Sequence, residues 1–127
     1  MTGSGLQRLW VGLAGVGGAG GVALAAYGAH GALEAQAARL LASAVQMQLW
    51  HVLALLGAAM WSPRGGPIAH LAAAGFALGT MLFCATVAAG ALGLPRFGPL
   101  APIGGTVLIA SWVLLAISAL HPAGRSA

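Results

Sequence analysis

Four apolar stretches follow one another along the chain with only short breaks between them, and this decides most of what the chain can fold into. They run from Leu9 to Leu33, Leu40 to Trp61, Pro67 to Leu92 and Leu100 to Leu120. A bilayer core of about 30 Å takes roughly 20 apolar residues of helix, so each stretch is long enough to cross one. The breaks carry their own marks. Glu34 to Arg39 holds charges and a glutamine, "SPRGGP" at Ser62 to Pro67 is a turn in which Pro67 suits a helix's first position, "GLPRFGP" at Gly93 to Pro99 ends the third stretch, and His121 with Pro122 ends the fourth. Connections this short make successive helices antiparallel neighbours. The expected fold is all-α: a polytopic membrane protein whose four transmembrane helices form an up-down-up-down bundle, one domain over residues 1–127.

Composition agrees with a lipid environment. The chain is 60% hydrophobic and 5% charged, with a mean hydropathy of +0.95, too little charge to clothe a soluble surface. Its pI near 11.4 reflects five arginines and no lysine against one glutamate. Arg8, Arg39, Arg64, Arg96 and Arg125 are scattered singly, so there is no basic stripe for a phosphate backbone and nucleic acid is not an expected partner. The arginines instead bear on topology. Arg8, Arg64 and Arg125 fall on the side of the termini and Arg39 and Arg96 on the other, which by the positive-inside rule leans toward cytoplasmic termini. The first stretch is too long for the roughly 7–15-residue core of a cleaved signal peptide. Cys84 is the single cysteine and leaves no internal disulfide or thiolate metal cluster.

Small residues mark where helices approach closely. Gly17 and Gly21 form a GxxxG pair in "GLAGVGGAGG", Gly75 and Gly79 repeat the spacing, and Gly104 with Gly105 thins the start of the last helix. Packing inside the bundle is preferred over a dedicated dimer face. Trp10 and Trp61 sit near helix ends, where an amphipathic ring suits the membrane interface, while Trp50 and Trp112 lie deeper, as packing residues.

Polar residues inside the apolar stretches are few. Gln48 and His51 share one face of the second helix with Ala44, Leu55 and Ala58, and His51 falls near mid-length. Two readings are open for this pair: a neutral histidine bonded to a neighbouring helix, or an ionisable group with a functional role. His30 stands one turn before Glu34 and can pair with it or face headgroups, while His70 and His121 fall at helix boundaries. Bis-histidine haem ligation is disfavoured by a depth gap on the order of 10 Å between His30 and His51. No two histidines have the i,i+3 or i,i+4 spacing of a metal motif. Ser43, Ser111 and Ser118 with a single acid do not compose a hydrolytic triad. No catalytic, metal or cofactor-binding residue is assigned, and no cofactor is expected. Proton-coupled transport would rest on His51, Gln48 and Thr86 and would need an oligomer or larger complex.

Four blocks carry a family resemblance: "GAHGAL" at Gly28 to Leu33, "SAVQMQLWHVLALL" at Ser43 to Leu56, "GTMLFCATV" at Gly79 to Val87 and "PIGGTVLIASWVLLAI" at Pro102 to Ile117. In order and spacing the chain resembles the small four-helix membrane proteins of domain of unknown function 423, the family that includes the animal transmembrane protein 256. The resemblance spans nearly the whole chain. It implies an integral membrane protein without an established activity, of a kind found in bacterial inner membranes and associated with mitochondria in animals. The family's Gly-Ala-His corresponds to Gly28, Ala29 and His30, its Gln-x-x-His to Gln48 and His51, and its Pro-x-Gly-Gly to Pro102, Gly104 and Gly105. This chain departs from it at Gln46 and Met47, where members often carry Arg-Tyr, and at Cys84, Ala85 and Thr86, where they often carry Ser-Gly-Ser.

The functional expectation is a non-enzymatic protein of the bacterial inner membrane that acts as an accessory or interaction subunit, with a respiratory or other energy-transducing assembly as one setting. Its expected partners are the lipid bilayer and another membrane protein or further copies of itself. The alternative is a small transporter or a lipid- or quinone-binding membrane protein that uses His51, Gln48 and His30.

Overall fold

A computed structural model describes residues 2–95 and 98–123 of the chain. They form three helical elements, α1 (Gly3–His30), α2 (Ala35–Ala91) and α3 (Leu100–Leu120), with no strand among the described residues. All three are long and apolar enough to cross a membrane. The count corrects the expected four. The first helix begins and ends earlier than its apolar stretch, and the second and third stretches belong to one helical element.

The physical reason lies in "SPRGGP". The sequence predicts a turn over these residues, and the chain does reverse there, but helical backbone continues through Ser62 to Gly65 and resumes at Pro67, and only Gly66 is non-helical, at φ 59° and ψ −148°. Pro63 lacks the N–H that would bond the Ala59 carbonyl. That carbonyl instead accepts from Ser62 Oγ at 2.8 Å and from Gln7 Nε2 of α1 at 3.1 Å. The Arg64 carbonyl accepts the Ala123 N–H at 2.7 Å, so residues beyond α3 close the same end. Pro67 opens the next run of helix, where its missing N–H costs nothing.

At 57 residues a straight α2 would be about 85 Å long. It folds back at Gly66 instead: Leu41 and Ala44 pack with Ala88 and Ala91, and Ala54, Leu55 and Ala58 share a core with Ala72, Ala73 and Phe76. We refer to residues 35–65 and 67–91 as its first and second arms. The backbone angles of Gly66 are essentially reserved to glycine, and a Cβ there would lie 2.6 Å from that of Ala123. Gly66→Ala is therefore expected to cost roughly 1–3 kcal/mol in detergent-micelle unfolding. Gly57→Ala, where a Cβ meets nothing within 4 Å, provides the neutral control.

α1 runs antiparallel to the first arm, with Gly17 against Val52, Gly21 against Leu49 and Gly28 against Leu41. α3 runs antiparallel to the second arm, with Gly79 against Gly104 and Leu108, and Gly75 against Ser111. α2 packs against both outer helices, while α1 and α3 do not pack on each other. Glycine-rich α1 would be a poor helix in water. An apolar surround favours it, because each backbone N–H and C=O must then be paired within the chain. The outward faces are apolar: Val16 is 75% exposed, Ile109 69% and Leu120 76%.

Arg8 and Arg64 lie toward the end of the bundle where Gln7 meets Ala59, and Arg39 toward the other. Arg96 and Arg125 lie outside the described residues.

Candidate functional site

Neighbouring helices are tied together by indole and imidazole groups that the sequence places far apart. His51, 7% exposed, sits on the first arm with Nδ1 at 2.7 Å from the Met47 carbonyl. Since a carbonyl only accepts, Nδ1 carries the proton, and Nε2 is left to accept the Trp112 indole N–H of α3 at 3.3 Å. Both nitrogens of a neutral ring are thus engaged. Phe76 of the second arm completes the cluster, edge-on to Trp112 with ring centroids 5.0 Å apart and tilted against His51 at 6.2 Å.

A second pair repeats the arrangement on the other side. Trp10 of α1 donates its indole N–H to His70 Nδ1 on the second arm at 3.0 Å. Trp61 of the first arm donates to Ser118 Oγ of α3 at 3.0 Å. Trp10 is 9% exposed, a buried donor rather than an interfacial ring; of the two expected to pack inside, Trp50 is 58% exposed and faces outward, and Trp112 is 49% exposed, half-covered with its N–H turned to His51. Residues some 60 positions apart meet here, which helical periodicity cannot reveal.

Gln48 reaches from the first arm to α1, where its Nε2 donates to the Gly17 carbonyl at 2.7 Å. A Cβ at Gly20 would stand 3.4 Å from that nitrogen, and one at Gly21 would stand 2.7 Å from Leu49. The glycine face is therefore covered by this chain's own α2.

Beside these contacts a lateral cleft of about 380 Å³ opens between α1 and the two arms of α2. Gly17 is the one glycine of α1 in its wall. The walls are Leu13, Val16 and Leu24 of α1, Gln48, His51 and Leu55 of the first arm, and Phe76, Thr80, Met81 and Cys84 of the second. Gln48 and His51 thus reach one cleft, whereas His30, the exposed last residue of α1, lines no part of it. The Thr86 hydroxyl donates to the Leu82 carbonyl at 2.7 Å, so it is already paired within its own helix. The hydroxyl that sequence reading missed is Thr80. It is 8% exposed, and its Oγ1 is the buried side-chain oxygen without a hydrogen bond among the described residues.

Of the glycines singled out by spacing, Gly17, Gly21, Gly75, Gly79 and Gly104 stand where a Cβ would crowd a neighbour. Gly105 does not, its nearest neighbour being Phe83 at 3.9 Å. Among the described residues no three His, Cys, Asp or Glu side chains converge. His121 caps the C-terminus of α3 and is exposed.

Neither a curated protein nor a solved structure matches the chain. The family model described as protein of unknown function (DUF423) matches residues 24–105, which include Gln48, His51, Phe76, Thr80 and most of the cleft wall. The chain belongs to that family.

Proposed function

We propose that this is a multi-pass membrane protein that crosses the bilayer four times, through α1, the two arms of α2 and α3, and acts by association within the membrane as an accessory or interaction subunit. The observation that carries this reading is the division of polarity. Apolar side chains face outward along every helix, while the indole N–H groups of Trp10, Trp61 and Trp112, the His51 ring, the buried hydroxyls other than that of Thr80, and Gln48 are spent on one another or on backbone. A surface of that kind suits lipid and other membrane helices. Transport is less well supported, because the space reaching His51 is bounded mainly by apolar side chains. A bacterial inner membrane with both termini cytoplasmic is the setting we favour, on the resemblance and on Arg8 and Arg64 sharing one end.

Parity tests the crossings. In a Cys84→Ala background, Ser4→Cys and His121→Cys are expected to label with a membrane-impermeant maleimide from the same side, and Ala32→Cys from the opposite side. Labelling of Ser4→Cys and His121→Cys from opposite sides would mean an odd number of crossings and sink the topology. For the role, native mass spectrometry after mild solubilisation should find the chain in a fixed ratio with another membrane subunit. Recovery only as a lone chain or a homo-oligomer would overturn it.

A further inference from the structure

We propose that the hydrogen bond from Trp10 to His70 is a proton-operated latch: it holds the first turns of α1 on the second arm while His70 is neutral, and acid in the aqueous phase at that end of the bundle releases it. Only the identity of that phase, the cytoplasm, depends on the bilayer placement above.

The bond admits one protonation state. An indole nitrogen only donates, so His70 Nδ1, 3.0 Å from Trp10 Nε1, is the acceptor and the ring carries its proton on Nε2. A second proton would have to go to Nδ1, where it would meet the indole N–H head on, and the bond would be lost. Trp10 is 9% exposed and packs among Ala14, Ala58 and Ala73, so its N–H would then be left buried without an acceptor.

Protons have access to this histidine. His70 stands three residues after Pro67, about 4.5 Å of helix from the reversal at Gly66. It is half-buried and lines a recess of about 510 Å³ with Ser4, Gln7 and Ser62, whose rim residues Gly3, Ser4, Pro63 and Pro67 are exposed. A polar recess of that size at a helix end holds water. The other indole acceptors differ. Trp61 donates to the Ser118 hydroxyl, which does not titrate in this range, and Trp112 donates to His51, which is buried far from either helix end.

The surroundings give a protonated His70 no replacement for the lost bond. Among the described residues, the charged and titratable side chains at this end are Arg8 of α1, Arg64 of the first arm and His121 after α3, all exposed, and the second arm brings none beyond His70 itself. Glu34, the one acidic side chain of the chain, stands at the opposite end, before the first arm.

Release would act on one contact. Among the described residues the Trp10 bond is the one side-chain hydrogen bond from α1 to the second arm, whereas Gln7 to Ala59 and Gln48 to Gly17 tie α1 to the first arm. One turn beyond Trp10 the lateral cleft begins, with Leu13 of α1 and Phe76 of the second arm in its walls. Protonation thus frees α1 from the second arm at the terminal end of the cleft and leaves it attached to the first arm.

The test uses the full chain, nitrogen-15 labelled, in detergent micelles between pH 8 and pH 5, the range over which imidazoles take up a proton. The Trp10 indole N–H resonance, identified by its loss in Trp10→Phe, is expected to move in a single titration step while that of Trp61 stays in place. Amide hydrogen exchange over residues 3–14, corrected for the intrinsic effect of pH, should be about tenfold faster at pH 5 than at pH 8. His70→Asn places an amide oxygen where Nδ1 stood and takes up no proton, so it should keep the bond and the slow exchange at both pH values. His70→Leu, with no acceptor, should exchange fast at both. A Trp10 resonance that does not move, an equal movement in His70→Asn, or exchange over residues 3–14 unchanged at pH 5 would each overturn the latch. The wild-type titration against Trp61 decides even if a His70 variant fails to fold, and neither result bears on the labelling parity or on subunit stoichiometry.

Discussion

Gly104→Ala is expected to lower the stability of the bundle by about 3 kcal/mol, the upper part of the usual overpacking range, whereas Gly105→Ala one residue later should be neutral or slightly stabilising. A Cβ at Gly104 would stand 2.6 Å from the Phe83 nitrogen and 2.9 Å from the Gly79 carbonyl oxygen. Both are backbone atoms of the second arm and cannot rotate aside as a side-chain tip would. Relief would require α3 to move outward along its whole contact with α2. At Gly105 the nearest atom belongs to the Phe83 ring at 3.9 Å, an ordinary contact, and alanine's better helix propensity is unopposed. Reversible unfolding of the two variants in one detergent decides the matter. Equal destabilisation would mean that α3 does not dock on the second arm in the register described.

His51→Ala is expected to cost about 3 kcal/mol, as large-to-small changes at buried sites do, and Trp112→Phe about 1 kcal/mol, nearer the scale of an interhelical hydrogen bond in a membrane. The alanine leaves the Trp112 N–H without its acceptor and opens a void against Phe76. The double mutant should show a coupling of about 1 kcal/mol. The Trp112 indole N–H resonance should also shift in His51→Ala, reporting the bond directly. If His51→Ala left stability unchanged, the histidine would not be the internal contact described, and a role in chemistry would gain ground.

Much of the helical architecture was legible because it follows from length and hydropathy. The last apolar stretch has the same bounds as α3, and Pro67 opens a helical run. The tightness of the reversal within α2, with Gly66 its one non-helical residue, was not legible. Proline and paired glycines read locally as a loop, but the Ala59 carbonyl that Pro63 abandons is taken by Ser62 and by Gln7 from a different helix. Such rescue depends on tertiary neighbours. The same limit hid the donor pairs: Trp10 read as an interfacial ring until His70 was beside it, and nothing in local periodicity connects Trp112 to His51. Of the cleft, Gln48 and His51 stood out as polar residues in an apolar helix. Thr80 did not, because whether a helical threonine pairs with its own backbone is a matter of rotamer, and on sequence grounds Thr86 looked the better candidate.

The hydrogen bond from the Ala123 N–H to the Arg64 carbonyl has a consequence for biogenesis. When a ribosome has delivered α1 and both arms of α2 to the membrane, the tip of the hairpin still lacks its last donor, because that donor lies beyond α3 and is synthesised later. Gln7 and Ser62 can close the Ala59 carbonyl early, but Arg64 must rely on water until α3 has inserted. Assembly is thus ordered in time: the hairpin can form before α3 is made, and its tip is sealed only once the residues that follow α3 have joined it.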